Sequence, residues 1–254
     1  MSLKRSNAIV IGHYSLGEAD KIIVFFTRDY GKVRAVARGA KRLKNRLSGR
    51  TEIFTYGDLI YSERVGKDLH TINSFDIIES FQTIKEDLLK MAYCSYIADL
   101  IQHVTPESEP DPDTFDLMLS AMYLIESTTD VEIIVRAFEI RLLERIGLNP
   151  RLDSCIICSG EINDNNPKFS IQSGGVICGK CAKLGHHAFN ISHESLEIMR
   201  KMANIPLEVI QSLNILESNR QEIKKILMGF LSFHVDMKNL RSLGFLESME
   251  KDKF

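Results

Sequence analysis

The sequence reads as an α+β chain in which a small five-stranded β-barrel precedes a mainly α-helical region, itself interrupted by a four-cysteine element. Three observations carry that reading. Short β-branched runs divided by turn residues fill positions 7–80. Apolar residues then recur at helical spacing. Two Cys-x-x-Cys pairs, 19 residues apart, stand between helical stretches. A chain of 254 residues, 44% hydrophobic and 26% charged, can bury a sizeable core as one large domain or two smaller ones.

The predicted strands are Ala8–Ile11, Ile22–Thr27, Val33–Ala37, Ile53–Tyr61 and Leu69–Ile78. Turn residues separate them at Gly12, Gly17, Asp29-Tyr30-Gly31, Ser48-Gly49 and Gly66. Five short strands in so few residues suit a closed antiparallel barrel, of which the OB-fold is the five-stranded member. An SH3-like barrel would show much the same pattern.

Beyond residue 80 the period changes. Leu89, Tyr93, Tyr96, Ile97, Leu100 and Val104 form one stripe of a long helix. That helix should stop near Thr105, because Pro106 disfavours the α conformation in its predecessor. The acidic, proline-rich stretch from Pro106 to Asp113 predicts an exposed connection. Phe115, Met118, Leu119 and Met122 mark the next helix. Thr129-Asp-Val-Glu132 fits a capping box for a third, which runs to Ile146 and stops at Gly147. After the cysteines, Ser192 is a candidate N-cap, Pro206 opens a short helix, and Ile223, Ile226, Leu227 and Phe230 define a final amphipathic one. The expected organisation is a barrel at 1–80 and a helical domain at 81–254, interrupted at about 150–190.

The cysteine element is Cys155-Ile-Ile-Cys158 with Cys178-Gly-Lys-Cys181. Each pair forms a tight turn that aims two thiolates at one point, so the spacing predicts a zinc site. Four thiolates complete a tetrahedron and leave no position for water or substrate, so one zinc ion in a structural role is expected. Two disulfides or four unrelated thiols are the alternatives. His186 and His187 could substitute as ligands, but four thiolates already suffice. Cys94 reads as a small core residue.

Charge is unevenly spread. The formal net charge is −2, yet residues 1–80 hold 14 Lys+Arg against 9 Asp+Glu, and the rest hold 18 against 25. From Arg28 to Arg50 there are nine basic residues and one acid, Asp29. Such a concentration is the footprint of a polyanion-binding surface. On a strand, Lys32, Arg34 and Arg38 share one face with Val36, while Val33, Ala35 and Ala37 face the core. With Lys41, Arg42, Lys44, Arg46 and Arg50 in the following loop, they would line a groove that follows a nucleic-acid backbone. Tyr14, Tyr30, Phe54, Tyr56 and Tyr61 are the aromatics that could stack on bases, although aromatics in strands usually belong to the core.

Several classes of function lack support. The chain has no P-loop, G-x-S-x-G, H-E-x-x-H, G-x-G-x-x-G or zinc-deaminase signature, so no enzyme is expected. No motif for sequence-specific readout is present, which favours non-specific backbone binding. No stretch has the length and apolarity of a membrane span, and the first apolar run is too short for a signal-peptide core, so a cytoplasmic protein with reduced thiols is expected.

Taken together the residues resemble the RecO family of bacterial recombination mediators. In the barrel the likeness lies in Gly17-Glu18-Ala-Asp20, Tyr30-Gly31-Lys32 and Ala37-Arg38-Gly39-Ala40-Lys41-Arg42. Further on it lies in Phe138-Glu139-Ile-Arg141-Leu142-Leu143, Gly147-Leu-Asn-Pro150, Leu152-Asp-Ser-Cys155-Ile-Ile-Cys158, Phe169-Ser170 and Gly174-Gly175-Val-Ile-Cys178. The chain departs from the family's Gln-Pro-Phe at Thr51-Glu52-Ile53-Phe54. It also departs at Ser159, where a glycine commonly follows the second cysteine. The resemblance implies an N-terminal OB-fold, a helical domain and a zinc-binding element. It implies binding to single- and double-stranded DNA and annealing of complementary strands. It further implies work with RecR to load RecA onto DNA coated by single-strand-binding protein, in the cytoplasm at the nucleoid. The helical domain would receive the acidic tail of single-strand-binding protein, with Arg136 or Arg141 as the cation for its carboxylate. An RNA-binding or ribosome-associated zinc protein, or a scaffold that meets an acidic partner, would carry the same features; the 2′-hydroxyl separates RNA from DNA.

Overall fold

The computed structural model describes residues 2–42, 45–64, 66–162, 167–184, 187–235, 237 and 240–251. The chain divides into two compact units, Met1–Ser127 with Leu240–Phe254, and Thr128–Asn239.

The first unit is built on a closed barrel of β1 (Ser2–Leu16), β2 (Asp20–Thr27), β3 (Gly31–Ala37), β4 (Tyr56–Glu63) and β5 (Leu69–Glu79), in the order β1-β2-β3-β5-β4. β1 closes the ring because it is long enough to pair twice. Its residues 2–9 run antiparallel to β4 and its residues 8–16 antiparallel to β2, with a register shift between Val10 and Gly12 that turns the strand from one partner to the other. β3 and β5 pair in parallel, whereas the ring's other strand pairs among the described residues are antiparallel. That order and closure are those of an OB-fold, which decides between the two barrels the pattern allowed. Ala8, Val10, Ile23, Phe25, Leu59 and Phe75 fill the interior.

One strand begins later than expected. Ile53–Thr55 is not strand; Phe54 is fully buried with φ of 68° and its N–H donates to Val10 O at 2.8 Å. The bend carries its ring inward, and β4 starts only at Tyr56. Gly57 then allows β4 close to β5, since a Cβ there would come within 2.4 Å of Asp76 O.

Helices α1 (Gln82–Glu86), α2 (Leu88–Val104) and α3 (Pro112–Ser127) complete this unit with α9 (Arg241–Lys251). α2 opens at Asp87, whose carboxylate accepts from Leu89 N and Lys90 N, and ends at Thr105 as Pro106 dictates. Pro112 takes the first position of α3, where its missing N–H costs nothing. The 106–111 connection is exposed as expected, yet it lies against the β2–β3 turn. A Cβ on Gly31 would come within 2.1 Å of Glu109 O. α2 packs on α9, and Ser242 N donates to Asp99 at 2.9 Å. α9 has no counterpart among the sequence expectations, which ended one helix earlier.

In the second unit α4 (Val131–Arg145) is packed by α6 (His193–Asn204), α7 (Leu207–Ile210) and α8 (Glu217–His234). The expected capping box does not form. The N-cap is Asp130, one residue later than Thr129, and makes no side-chain cap because its carboxylate binds Arg220 at 2.8 and 2.6 Å. The other end matches: Gly147 is left-handed at φ 76°, and Leu148 N returns to Leu143 O. Ser192 caps α6 through Ser195 N, as expected. Between α4 and α6 lie β6 (Lys168–Ser170), β7 (Gly175–Ile177), α5 (Gly179–Ala182) and β8 (Phe189–Asn190), the strands ordered β7-β6-β8. Phe169 of β6 meets Phe230 of α8 edge to face.

Candidate metal centre and nucleic-acid interface

The small sheet builds the cysteine site. Val176 N donates to Arg151 O and Ile156 N to Val176 O, so β7 holds the turn that carries Cys155 and Cys158. That turn closes through Ser159 N to Cys155 O at 2.8 Å, with Ser159 left-handed at φ 57°. The residue after the second cysteine therefore needs a conformation glycine adopts freely, which accounts for the glycine common there in the family. β7 then runs directly into Cys178, the N-cap of α5, and one turn later α5 presents Cys181.

All four sulfurs lie within 4.8 Å of one another, and the Cys158 and Cys178 Sγ atoms are 3.8 Å apart. A tetrahedral metal with bonds of about 2.3 Å to sulfur sets its ligands roughly 3.8 Å apart, so the cluster fits a metal ion. Cys155, Cys178 and Cys181 are buried and Cys158 is exposed. Burial raises the Cys155 thiol, but the backbone N–H groups of Cys158, Cys178 and Ile157 outweigh it and bring it down to about 6. Burial and the neighbouring sulfurs push Cys181 up to about 12. The divergence is electrostatic: four touching thiols shed all their protons only when a cation shares the charge. His187 is not part of the cluster, and His186 lies outside the described residues.

The basic strand alternates as expected, with Val33, Ala35 and Ala37 in the barrel core and Arg34 and Arg38 exposed. Lys32 differs. It is only 5% exposed, and its ammonium donates to Gln102 O at 2.7 Å and pairs with Glu107 at 3.1 Å. Gln102 lies in the last turn of α2, where carbonyls lack helical partners, so Lys32 caps a helix from within the protein. Arg34 shares Glu107 at 3.0 Å, and Arg50 pairs with Asp76 at 2.6 Å. Both pairs are exposed, contribute about 0–1 kcal/mol, and can exchange carboxylate for phosphate. Lys41 donates to Gly17 O at 2.6 Å. Arg38, Arg42 and Arg46 are exposed and have no ion-pair partner among the described residues. Lys44 lies outside the described residues. The acidic partner of the basic strand was not anticipated, although the carboxylates of the 106–113 segment were its sequence signal.

The aromatics separate by burial. Phe54 and Tyr61 are core, Tyr30 and Tyr56 are half-buried, and Tyr14 is 55% exposed.

Arg136 and Arg141 both belong to α4. Arg136 is 2% exposed and meets the fully buried Glu139 at 2.9 and 2.8 Å. Arg141 donates through Nε to Met202 O at 3.0 Å and through Nη2 to Ile205 O, closing the end of α6. Burial lowers its pKa. Each guanidinium thus serves the packing of its own unit.

Comparison with known proteins agrees with this architecture. The family model for the recombination protein O N terminal matches residues 1–81, and that for the recombination protein O C terminal matches residues 85–244. A protein of Acetivibrio thermocellus called DNA repair protein RecO is 32% identical over the whole of both chains. Those of Halalkalibacterium halodurans and Pelotomaculum thermopropionicum, with the same name, are 31% and 32% identical. They cover 96% and 97% of this chain, and 96% and 94% of their own. With both family models matched and relatives aligned end to end, the chain belongs to the RecO family.

Proposed function

We propose that this chain is a DNA-repair and recombination mediator that binds single- and double-stranded DNA on its barrel and anneals complementary strands. The observation that carries the reading is the group of exposed cations, Arg38, Arg42 and Arg46, without ion-pair partners among the described residues. Arg34, Lys41 and Arg50 flank them. Cations left open at a cost in self-repulsion are favoured opposite phosphate. Lys32, desolvated and capping α2, is not counted in this surface.

Annealing on such a face needs no catalytic group. Screening two phosphate backbones lowers their repulsion and raises their local concentration, while base pairing supplies the driving force. The four cysteines would hold one zinc ion, whose closed thiolate shell supports the fold of its segment and supplies no chemistry to the DNA. Family membership supports cytoplasmic, nucleoid-associated work with RecR in loading RecA onto DNA coated by single-strand-binding protein, whose acidic tail would bind the helical unit elsewhere than Arg136.

The test is annealing of complementary oligonucleotides coated with single-strand-binding protein, followed with the wild type and with Arg38→Glu/Arg42→Glu/Arg46→Glu. The wild type should anneal. The variant should lose affinity for every sequence, and its salt slope on single strands should fall by about 0.7 for each phosphate it no longer neutralises. Normal binding and annealing by the variant would remove this face from the account.

A further inference from the structure

The strand registers place an apolar row on the outer face of the barrel, half-buried at Ile22 and Val36 and exposed at Tyr14. Tyr14 pairs with Ile22, Ile22 with Val36, and Val36 with Thr71. Residues directly opposite in a sheet share a face. Ile23 and Ala35 fill the barrel interior, so this row points outward. Arg34 lies two residues before Val36 on the same face of β3, and the exposed Arg38 follows just past the strand's end at Ala37. The other end of that outer surface is covered: Phe26 packs on Phe115 of α3, and Gln102 of α2 donates to Ile11 O at 3.0 Å. Helices thus shield one end and leave the Tyr14 end open.

Tyr14 is itself unusual. The residue is 55% exposed and meets no aromatic or cationic group among the described residues, whereas Tyr30 meets Tyr61 edge to face and lies under Lys4. An exposed aromatic ring on the same outer face of the barrel as exposed guanidiniums combines the two elements that hold single strands: a face for a base and charges for the phosphates along the strand. In duplex DNA the base faces are already stacked, so only the charges have a partner.

We propose that Tyr14 is a base-stacking residue, and that the row Tyr14–Ile22–Val36 is the platform that makes the barrel prefer single-stranded DNA. This rests on the DNA-binding reading above and adds the residue that discriminates strand state.

The experiment measures binding of wild type, Tyr14→Ala and Tyr14→Phe to an oligo-dT and to a duplex of equal length, across a salt series. Alanine should weaken oligo-dT binding by about fivefold to a hundredfold, the range for removal of one base stack. It should leave duplex affinity and both salt slopes unchanged, because every phosphate keeps its cation, and phenylalanine should restore the wild-type value. The chain contains no tryptophan, so Tyr14→Trp adds a single reporter whose fluorescence should be quenched by oligo-dT and not by duplex. If the wild type binds and the alanine variant binds oligo-dT equally well, the stacking role is overturned while the basic surface stands. An equal loss on single strands and duplex would also overturn it, by making Tyr14 a part of the face's shape. If the wild type binds neither, the DNA-binding reading itself fails and takes this one with it.

Discussion

Lys32→Met separates a cation that holds the protein together from those available to DNA. The lysine is buried, and methionine fills most of the same space. What disappears is the ammonium, which donates to Gln102 O at 2.7 Å and pairs with Glu107 at 3.1 Å. A hydrogen bond to a charged group contributes about 1.5–3 kcal/mol net. Glu107 is half-exposed and regains water, so its share is small. The expected destabilisation is therefore about 2 kcal/mol, chiefly from the uncapped end of α2. With a urea slope of roughly 2 kcal/mol per molar, the unfolding midpoint should fall by about 1 M. Because the chain lacks tryptophan, far-ultraviolet circular dichroism is the suitable probe. In native buffer the salt slope of oligonucleotide binding should match the wild type. Arg38→Ala should behave in the opposite way, with stability within about 0.5 kcal/mol and a slope lower by about 0.7. A Lys32→Met protein with an unchanged urea midpoint and a reduced salt slope would refute this division of labour.

Three further outcomes are expected. Protein purified without chelator should carry about one zinc per chain, and Cys178→Ser should lose it, with hydrogen exchange accelerated over residues 150–185 and unchanged in the barrel. Ser159→Gly should slow metal loss to a chelator, because it relieves a left-handed serine at φ 57°; the gain should be up to about 1 kcal/mol, and faster release would contradict the turn geometry. Arg136→Ala should cost about 3–5 kcal/mol by removing the guanidinium from the buried Glu139 carboxylate, seen as a lower midpoint for its unit. A stable variant that had lost only affinity for an acidic tail peptide would instead make this arginine a binding residue.

Much of this protein was decided by local sequence. The Val33-Arg34-Ala35-Val36-Ala37 alternation fixed which side of β3 faces the barrel core, because side chains on a strand alternate whatever the strand pairs with. Pro106 ended α2, Gly147 ended α4 and Ser192 opened α6, since caps and breakers act within a few residues. The cysteine spacing likewise made the Cys155–Cys158 turn, which closes through Ser159 N to Cys155 O, although the small sheet is what sets that turn beside the second pair.

What depended on distant partners was not legible. Strand periodicity cannot say that β3 lies beside β5, so the choice of barrel waited for the closed ring. Thr129 and Glu132 made a capping pattern, but Arg220, ninety residues away, took the Asp130 carboxylate and the helix began one residue later. Lys32 and Arg38 look alike in the chain; only the packing of α2 and the loop after it buries one ammonium and leaves the other cation in solvent. Likewise Arg136 resembles a surface arginine on α4 until the surrounding helices enclose it with Glu139. Local rules set the direction of each side chain; desolvation, which assigns a charge its role, is set by whichever remote segment covers it.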